Sequence, residues 1–226
     1  MSDLDGRSVL VVGASGVLGG LIAQGLHAGG ARLTLSGRST DALERLGLDG
    51  AHHVSADLLQ PGSPAQLVDA ALEAHGAVDG VVFAAGVVAF GGVDEIDDDV
   101  ADELLVVNYL AAARLARAAL PHLPPGGFIV NISAVVAETP APGMAAYCAS
   151  KAALTAFDAV LRTQARRTKV RVVDARPPHT ETGLAGRPLV GTAPRLPRGL
   201  SPQSVADRIV RAVVDDEADL PSSAFG

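Results

Sequence analysis

Ser8-Val9-Leu10-Val11-Val12-Gly13-Ala14-Ser15-Gly16-Val17-Leu18-Gly19 is apolar in its first part and glycine-spaced in its second. Residues 8–12 read as a short strand buried on both faces. The apolar-periodic stretch that follows, through Leu26, reads as a helix that Gly29-Gly30 stops. A glycine turn between strand and helix has two uses. It allows a sharp reversal, and it lets backbone approach a phosphate at the helix N-terminus, where free N–H groups and the positive dipole end point outward. The strand before it and the helix after it favour the second use. Gly13, Ser15, Gly16, Val17, Leu18 and Gly19 are then the candidate cradle for a nucleotide pyrophosphate.

The rest of the chain repeats the alternation. Strands are predicted at 31–35, 51–55, 78–85, 128–132 and 170–174. Helices are predicted at 40–46, 64–75, 97–122 with a bend near Asn108, about 145–167, and 202–214. Strands alternating with helices at this spacing form right-handed βαβ units, hence a parallel sheet covered on both faces. The expected fold class is α/β, a three-layer α/β/α doubly wound parallel sheet. Residues 1–226 show no internal boundary or repeat and are read as one domain, long enough for one large core. The Pro-, Gly- and Arg-rich stretch 176–199 has the length of a lid over a binding site.

Composition removes several function classes. Hydrophobic residues make up 48% of the chain, which argues against disorder. A net charge of −7 disfavours nucleic acid as the main partner, because phosphate neutralisation needs a basic surface. No run of about 18 apolar residues is present, so no membrane span is expected. Met1-Ser2-Asp3-Leu4-Asp5 lacks the basic and apolar regions of a signal peptide. The one cysteine, Cys148, has no intramolecular partner and reads as a small buried thiol, which fits a reducing cytoplasm. The six histidines show no metal-ligand spacing, so no metal is expected.

The second strand ends at Leu35-Ser36-Gly37-Arg38-Ser39. A site for NAD(H) usually places an acid here for the ribose hydroxyls. This chain has Arg38 flanked by hydroxyls, a clamp for a ribose 2′-phosphate, so NADP(H) is favoured over NAD(H). The plainer reading of Arg38 is a solvated surface charge. Asp57-Leu58, just after the third strand, suits the adenine edge, or is an ordinary turn cap.

The chain has only two tyrosines and two lysines, and one of each stands in Tyr147-Cys148-Ala149-Ser150-Lys151. Residues at i and i+4 share one helix face. A phenol and an ammonium on one face are the parts of a proton-transfer device, and lysine suits that task better than arginine because it is a compact charge on a flexible stem. A free phenol has a pKa of about 10, and favouring its phenolate enough for exchange near neutrality takes roughly 4 kcal/mol. One positive charge about 4 Å away supplies energy of that order at an effective dielectric of about 20. Lys151 and an oxidised nicotinamide ring are the expected sources of charge.

With these residues in order, the chain resembles the short-chain dehydrogenase/reductase family in its single-domain form, from Val9 to about residue 214. The glycine turn comes first. Ala84-Ala85-Gly86 follows the fourth strand, where the family has an Asn-Asn-Ala-Gly stretch. Asn108 lies in the helix after it, and Ser133 ends the fifth strand within Asn131-Ile132-Ser133. Tyr147 and Lys151 begin the next helix. Pro177, Thr180 and Thr182 occupy a segment similar to the family's Pro-Gly…Thr cofactor contact. The resemblance implies a Rossmann-type fold, and catalytic Ser133, Tyr147 and Lys151 with Asn108 completing a proton relay. It also implies cofactor contacts from the glycine turn, Ala84, Ala85, Gly86, Tyr147, Lys151, Pro177, Thr180 and Thr182. Ser133 is expected to hold the substrate oxygen while Tyr147 exchanges its proton.

Two departures stand out. Single-domain members usually read Gly-x-x-x-Gly-x-Gly, which puts a glycine where this chain has Val17; glycines at 13, 16 and 19 look like the turn of the extended branch. Extended members carry a further substrate domain, for which 226 residues leave no room. Pro178 replaces the usual glycine after Pro177 and removes an N–H.

Residues 134–144 and the 179–199 loop are expected to line an apolar pocket, with Glu138 and Thr139 as polar anchors. The implied activity is interconversion of a small-molecule ketone or aldehyde and its alcohol. Ala-rich helices at 109–120 and 150–165 suit subunit contacts, and the family implies a homodimer or homotetramer. The alternative is a catalytically silent NADP(H)-binding regulator or structural subunit with the same fold.

Overall fold

The computed structural model describes residues 4–226; Met1, Ser2 and Asp3 of the acidic N-terminus lie outside them. Six parallel strands form one sheet in the order β3-β2-β1-β4-β5-β6. They are β1 (Ser8–Val12), β2 (Arg32–Gly37), β3 (His52–Ser55), β4 (Gly80–Phe83), β5 (Phe128–Ile132) and β6 (Arg171–Ala175). Between them run α1 (Val17–Ala28), α2 (Thr40–Glu44), α3 (Ser63–His75), α4 (Asp98–Leu105), α5 (Ala111–Ala119) and α6 (Ala145–Ala165), and α7 (Pro202–Val214) follows β6. This is the expected doubly wound α/β class.

The period-two alternation of strand side chains divides the core in two. Val9 and Val11 of β1, Leu33 and Leu35 of β2 and Val130 of β5 face α1 and α7, meeting Ile22, Leu26, Ile209 and Val213. Leu10 and Val12 of β1, Val81 and Phe83 of β4 and Ile129 of β5 face the other way, onto α3, α5 and α6. All of β1 is buried, which is why its sequence shows no polar face. Four alanines of α5, Ala111, Ala112, Ala116 and Ala119, are buried against the sheet and let the helix lie close to it.

Four details differ from the sequence reading. β4 is shorter than 78–85: Ala84 N still donates to Val12 O at 2.8 Å, and then the chain leaves the sheet. The helix expected over 97–122 is three pieces. Asp97 caps α4 by accepting from Val100 N at 2.9 Å, and a π-helical turn, Val106–Leu110, separates α4 from α5 at Asn108. A last strand near 218–220 is reduced to one parallel bridge, in which Arg176 N donates to Leu220 O at 2.9 Å and Leu220 N to Asp174 O at 3.1 Å. The 176–199 loop is irregular apart from a 3-10 turn at Leu184–Gly186, but it is tied down. Leu189 N donates to Val88 O at 2.8 Å and Phe90 N to Val190 O at 3.0 Å.

Candidate active site

The strand order reverses between β1 and β4, the switch point at which doubly wound sheets form a crevice at the C-terminal ends of their strands. The glycine turn lies at that point, between β1 and α1. Gly13 has φ +87°, and a Cβ on it would lie 2.5 Å from Ala85 N, so the turn and the segment after β4 touch backbone to backbone. Gly19 lies on the carbonyl of Gly13, where no side chain fits. Gly16 caps α1 without any side-chain hydrogen bond, so the first-turn N–H groups have no side-chain cap. Val17, where the single-domain pattern has glycine, is 46% exposed and opens α1. Ser15 Oγ lies 2.5 Å from where a Cβ on Gly37 would be, tying the turn to the end of β2.

Arg38 follows at that end, exposed, with no hydrogen bond or ion pair of its guanidinium among the described residues. Its carbonyl accepts Ser55 Oγ at 3.2 Å. Asp57, beyond β3, is exposed and accepts Leu59 N at 3.0 Å, while Leu58 packs partly under the sheet. The turn, Arg38, Asp57 and Ala84-Ala85-Gly86 therefore all follow the C-terminal ends of neighbouring strands.

Tyr147 and Lys151 lie one turn apart on α6, and both are buried. Lys151 Nζ donates to Ile132 O at 2.8 Å and faces no carboxylate at ion-pair distance among the described residues. Asn108 Oδ1 accepts Val87 N at 2.9 Å, while its Nδ2 donates to Val87 O at 2.9 Å and to Ser150 Oγ at 3.0 Å. Ser150 Oγ in turn donates to Tyr147 O at 2.8 Å. Asn108 thus staples the segment after β4 to Ser150 in the second turn of α6, from its place in the π-turn. A Cβ on Gly86 would lie 3.3 Å from Asn108 Oδ1 and 3.5 Å from Lys151 Nζ, so Gly86 sits between the two.

Burial pushes both titrating groups toward their neutral forms. The Tyr147 phenol is driven well above its ordinary range by desolvation, with a smaller push from Cys148. Lys151 Nζ is turned to the Ile132 carbonyl, and desolvation is the largest influence on the phenol. Lys151 itself is lowered to about 8 by burial, against an opposing pull from Asp174.

Ser133, just past β5, donates a short hydrogen bond to Asp174 Oδ1, with Ala175 O a weaker second acceptor at 3.3 Å. Asp174 Oδ2 faces Arg176 Nη1 at 2.5 Å. Arg176 also donates to Glu138 Oε1 at 2.5 Å and to Asp219 Oδ2 at 2.8 Å. Glu138, expected to anchor substrate, is spent on Arg176 and on Ser222 N at 3.2 Å. Asp174, Arg176 and Asp219 escaped the sequence reading. The available signal was an Asp at the fourth position of a strand that is otherwise apolar after Arg171.

The loop after β6 adds the remaining predicted residues. Pro177 O accepts Val135 N at 3.0 Å, Thr180 Oγ1 donates to Pro178 O at 2.8 Å, and Thr182 Oγ1 accepts Leu184 N at 3.4 Å. Val88, Phe90, Leu104, Met144 and Cys148 form an apolar cluster with Tyr147, against which Leu184 and Leu189 of the loop pack. No described helix is long and apolar enough to cross a membrane.

Residues 7–188 match the sequence pattern of the family described as short chain dehydrogenase. A dehydrogenase/reductase SDR family protein 7-like chain of Anopheles gambiae is 32% identical over 96% of this chain and 75% of its own length. An uncharacterized oxidoreductase of Methylorubrum extorquens is 32% identical over 96% of this chain and 94% of its own. A solved short-chain dehydrogenase from Burkholderia cenocepacia, in complex with NADP, is similar with a TM-score of 0.87 at 26% identity over the whole of both chains. With a family match over most of its length and relatives that align nearly end to end, the chain belongs to the short-chain dehydrogenase/reductase family of oxidoreductases.

Proposed function

We propose that the chain is an NADP(H)-dependent oxidoreductase that interconverts a ketone or aldehyde and its alcohol, with Tyr147 as general acid and base. The observation that carries this reading is the buried pair on α6. A lysine held at 4% exposure without a carboxylate partner costs stability, and a fold keeps such a group where chemistry uses it.

The crevice fits a dinucleotide. The closed contact between Gly13 and Ala85 leaves room for no side chain, the start of α1 lacks a side-chain cap, and the Arg38 guanidinium has no partner among the described residues. Gly13, Ser15, Gly16, Val17, Leu18 and Gly19 would hold the pyrophosphate, Arg38 the 2′-phosphate, and Asp57 and Leu58 the adenine. Ala84, Ala85, Gly86, Pro177, Thr180 and Thr182 would line the remainder, with Tyr147 and Lys151. The related Burkholderia cenocepacia enzyme was solved with NADP, which agrees with Arg38. When bound, the dinucleotide gives or takes the hydride at the substrate carbon.

The chain's own residues handle the proton. Burial keeps the Tyr147 phenol protonated, the form that delivers a proton to a carbonyl oxygen as it gains charge. Lys151, charged at neutral pH, steadies the phenolate that this leaves. Asn108 holds Val87 and Ser150, keeping Lys151 and Gly86 in register for proton return to Tyr147. Ser133 orients the substrate beside Tyr147. The 176–199 loop is the lid of a single domain over 1–226, and its apolar packing near Tyr147 suits an apolar substrate. The exposed remainder of α5 and α6 is the proposed contact of a homodimer or homotetramer, and the setting proposed is cytoplasmic.

The test is consumption of NADPH with a panel of ketones, aldehydes and quinones, alongside direct NADPH binding. Oxidation of NADPH with matching alcohol formation is expected. Tight binding with no consumption across the panel would favour the silent regulator.

A further inference from the structure

Asp174 is a buried carboxylate that the chemistry above leaves without a task, and the sheet fixes its place. In the register of β5 and β6 it stands beside Asn131, and it accepts the hydroxyl of Ser133, two residues further on. Side chains two apart along a strand share a face. Asn131 donates to Asp158 Oδ1 on α6 at 2.6 Å, so this face is the one that α6 covers. Lys151 lies on the same side of α6, two turns before Asp158, and both are buried. Its Nζ is bound to the carbonyl of Ile132, the residue between Asn131 and Ser133. The carbonyl that holds the ammonium is thus flanked on both sides by residues that adjoin Asp174.

The carboxylates here outnumber their guanidiniums. Asp174, Glu138 and Asp219 converge on Arg176, and Arg162 shares Asp219. Three carboxylates meet two guanidiniums, so the cluster is one positive charge short. Glu138 and Asp219 are partly open to water, which screens them; Asp174 is not. Asp158 adds no competing charge. Burial, and Asp174 beside it, push its carboxyl toward the neutral form, and its Oδ2 has no hydrogen-bond partner among the described residues. The cation left to meet the surplus is Lys151, which burial drives toward neutrality and Asp174 draws back. The other groups about it are poor counter-charges. Tyr147 is held protonated, the π-turn brings the uncharged Asn108, and on α4 Asp98, Asp99 and Asp102 are exposed and Glu103 half-buried.

We propose that Asp174 is a positioning residue for proton transfer, the counter-charge that keeps the Lys151 ammonium on the Tyr147 face of α6 at neutral pH. This role rests on the oxidoreductase reading, in which the Lys151 charge steadies the Tyr147 phenolate.

The test is direct titration of Lys151 by NMR. The chain has two lysines, so protein made with lysine isotopically labelled at Cε gives two resonances, and Lys169→Arg assigns them. Lys169 is exposed and serves as the internal reference. Lys151 of the wild type is expected to titrate at about 8. Asp174→Asn keeps the shape and removes the charge; it is expected to lower that midpoint by at least about 0.5 pH. Asp158→Asn, equally buried on the same face, is expected to leave it within about 0.2 pH. A midpoint unmoved in Asp174→Asn, or lowered as much in Asp158→Asn, overturns the proposal. Should Asp174→Asn not fold, combining it with Arg176→Met removes both members of the pair and leaves no lone buried charge, and the same fall is expected. Activity separates the two readings. With a ketone that the wild type reduces, the alkaline fall of kcat/KM should move down with the midpoint in Asp174→Asn, and a fall that stays put removes Asp174 from the reaction. A midpoint that moves in a protein without turnover on any substrate keeps the Asp174–Lys151 coupling and overturns the oxidoreductase reading; a fixed midpoint in an active enzyme does the reverse.

Discussion

Tyr147 and Lys151 feel the same burial in opposite senses: the phenol is held protonated and the ammonium is pushed toward neutrality. The Lys151 value of about 8 has two measurable consequences. In activity, kcat/KM for carbonyl reduction should fall as pH rises through about 8, where the free enzyme loses the Lys151 charge. A pH profile flat from 7 to about 9.5 would contradict this assignment. In stability, the folded value lies below the unfolded 10.5. Below about 8 both states carry the charge and its burial cost is full; from there to 10.5 the unfolded chain binds more protons, and this group's contribution to stability rises with pH. Lys151→Met should therefore raise the thermal midpoint at pH 7 while abolishing turnover, and its gain over wild type should shrink above pH 8. Thermal melts across that range check it. The Tyr147–Lys151 pair was legible because its spacing is local and both residue types are rare in this chain. The direction of the Tyr147 shift was not, because it depends on how deeply α6 is covered. Asp174 was missed for a related reason: its partner Ser133 lies 41 residues away, and the Asp219 that braces its other partner, Arg176, lies 43 residues from that arginine, beyond any local pattern.

At the scale of elements, the glycine turn is a contact between two strand ends as much as a phosphate cradle. Gly13→Ala places a Cβ against the Ala85 backbone and forces alanine to φ +87°. It should cost about 1–3 kcal/mol in denaturant unfolding and weaken NADPH binding at least about tenfold. At the end of β2, Arg38→Ala should weaken NADPH at least about tenfold and leave NADH within about threefold, as expected for loss of one charge-assisted phosphate contact. Equal losses for both cofactors would remove Arg38 from the 2′-phosphate site. The strands and helices were readable because alternation and glycine stops are written locally. The π-turn was visible only as a bend, since the weak helix formers of Val106–Leu110 mark a soft spot in a helix without specifying its geometry. Its geometry accompanies the bonds of Asn108 to Val87, a contact made across the crevice.

Over the whole molecule, the C-terminal segment closes the sheet edge behind the site. Leu220 is fully buried and hydrogen-bonds the backbone of Asp174 and Arg176, while Asp219 pairs with Arg162 and Arg176. Leu220→Ala should cost about 2–4 kcal/mol in denaturant unfolding, the usual range for a buried leucine. Parallel layering followed from the order of elements in the sequence, while the reversal between β1 and β4 is seen only in the fold. The tail's attachment did not, because a single bridge leaves too little periodicity to read. The central claim is that Tyr147 supplies the proton for carbonyl reduction within an intact dinucleotide site. The most direct measurement compares NADPH oxidation by wild type and Tyr147→Phe with the same ketone, with NADPH affinity determined for both. Turnover should fall by about 10²-fold or more in the variant while affinity stays within about twofold. Undiminished turnover in Tyr147→Phe would contradict the account.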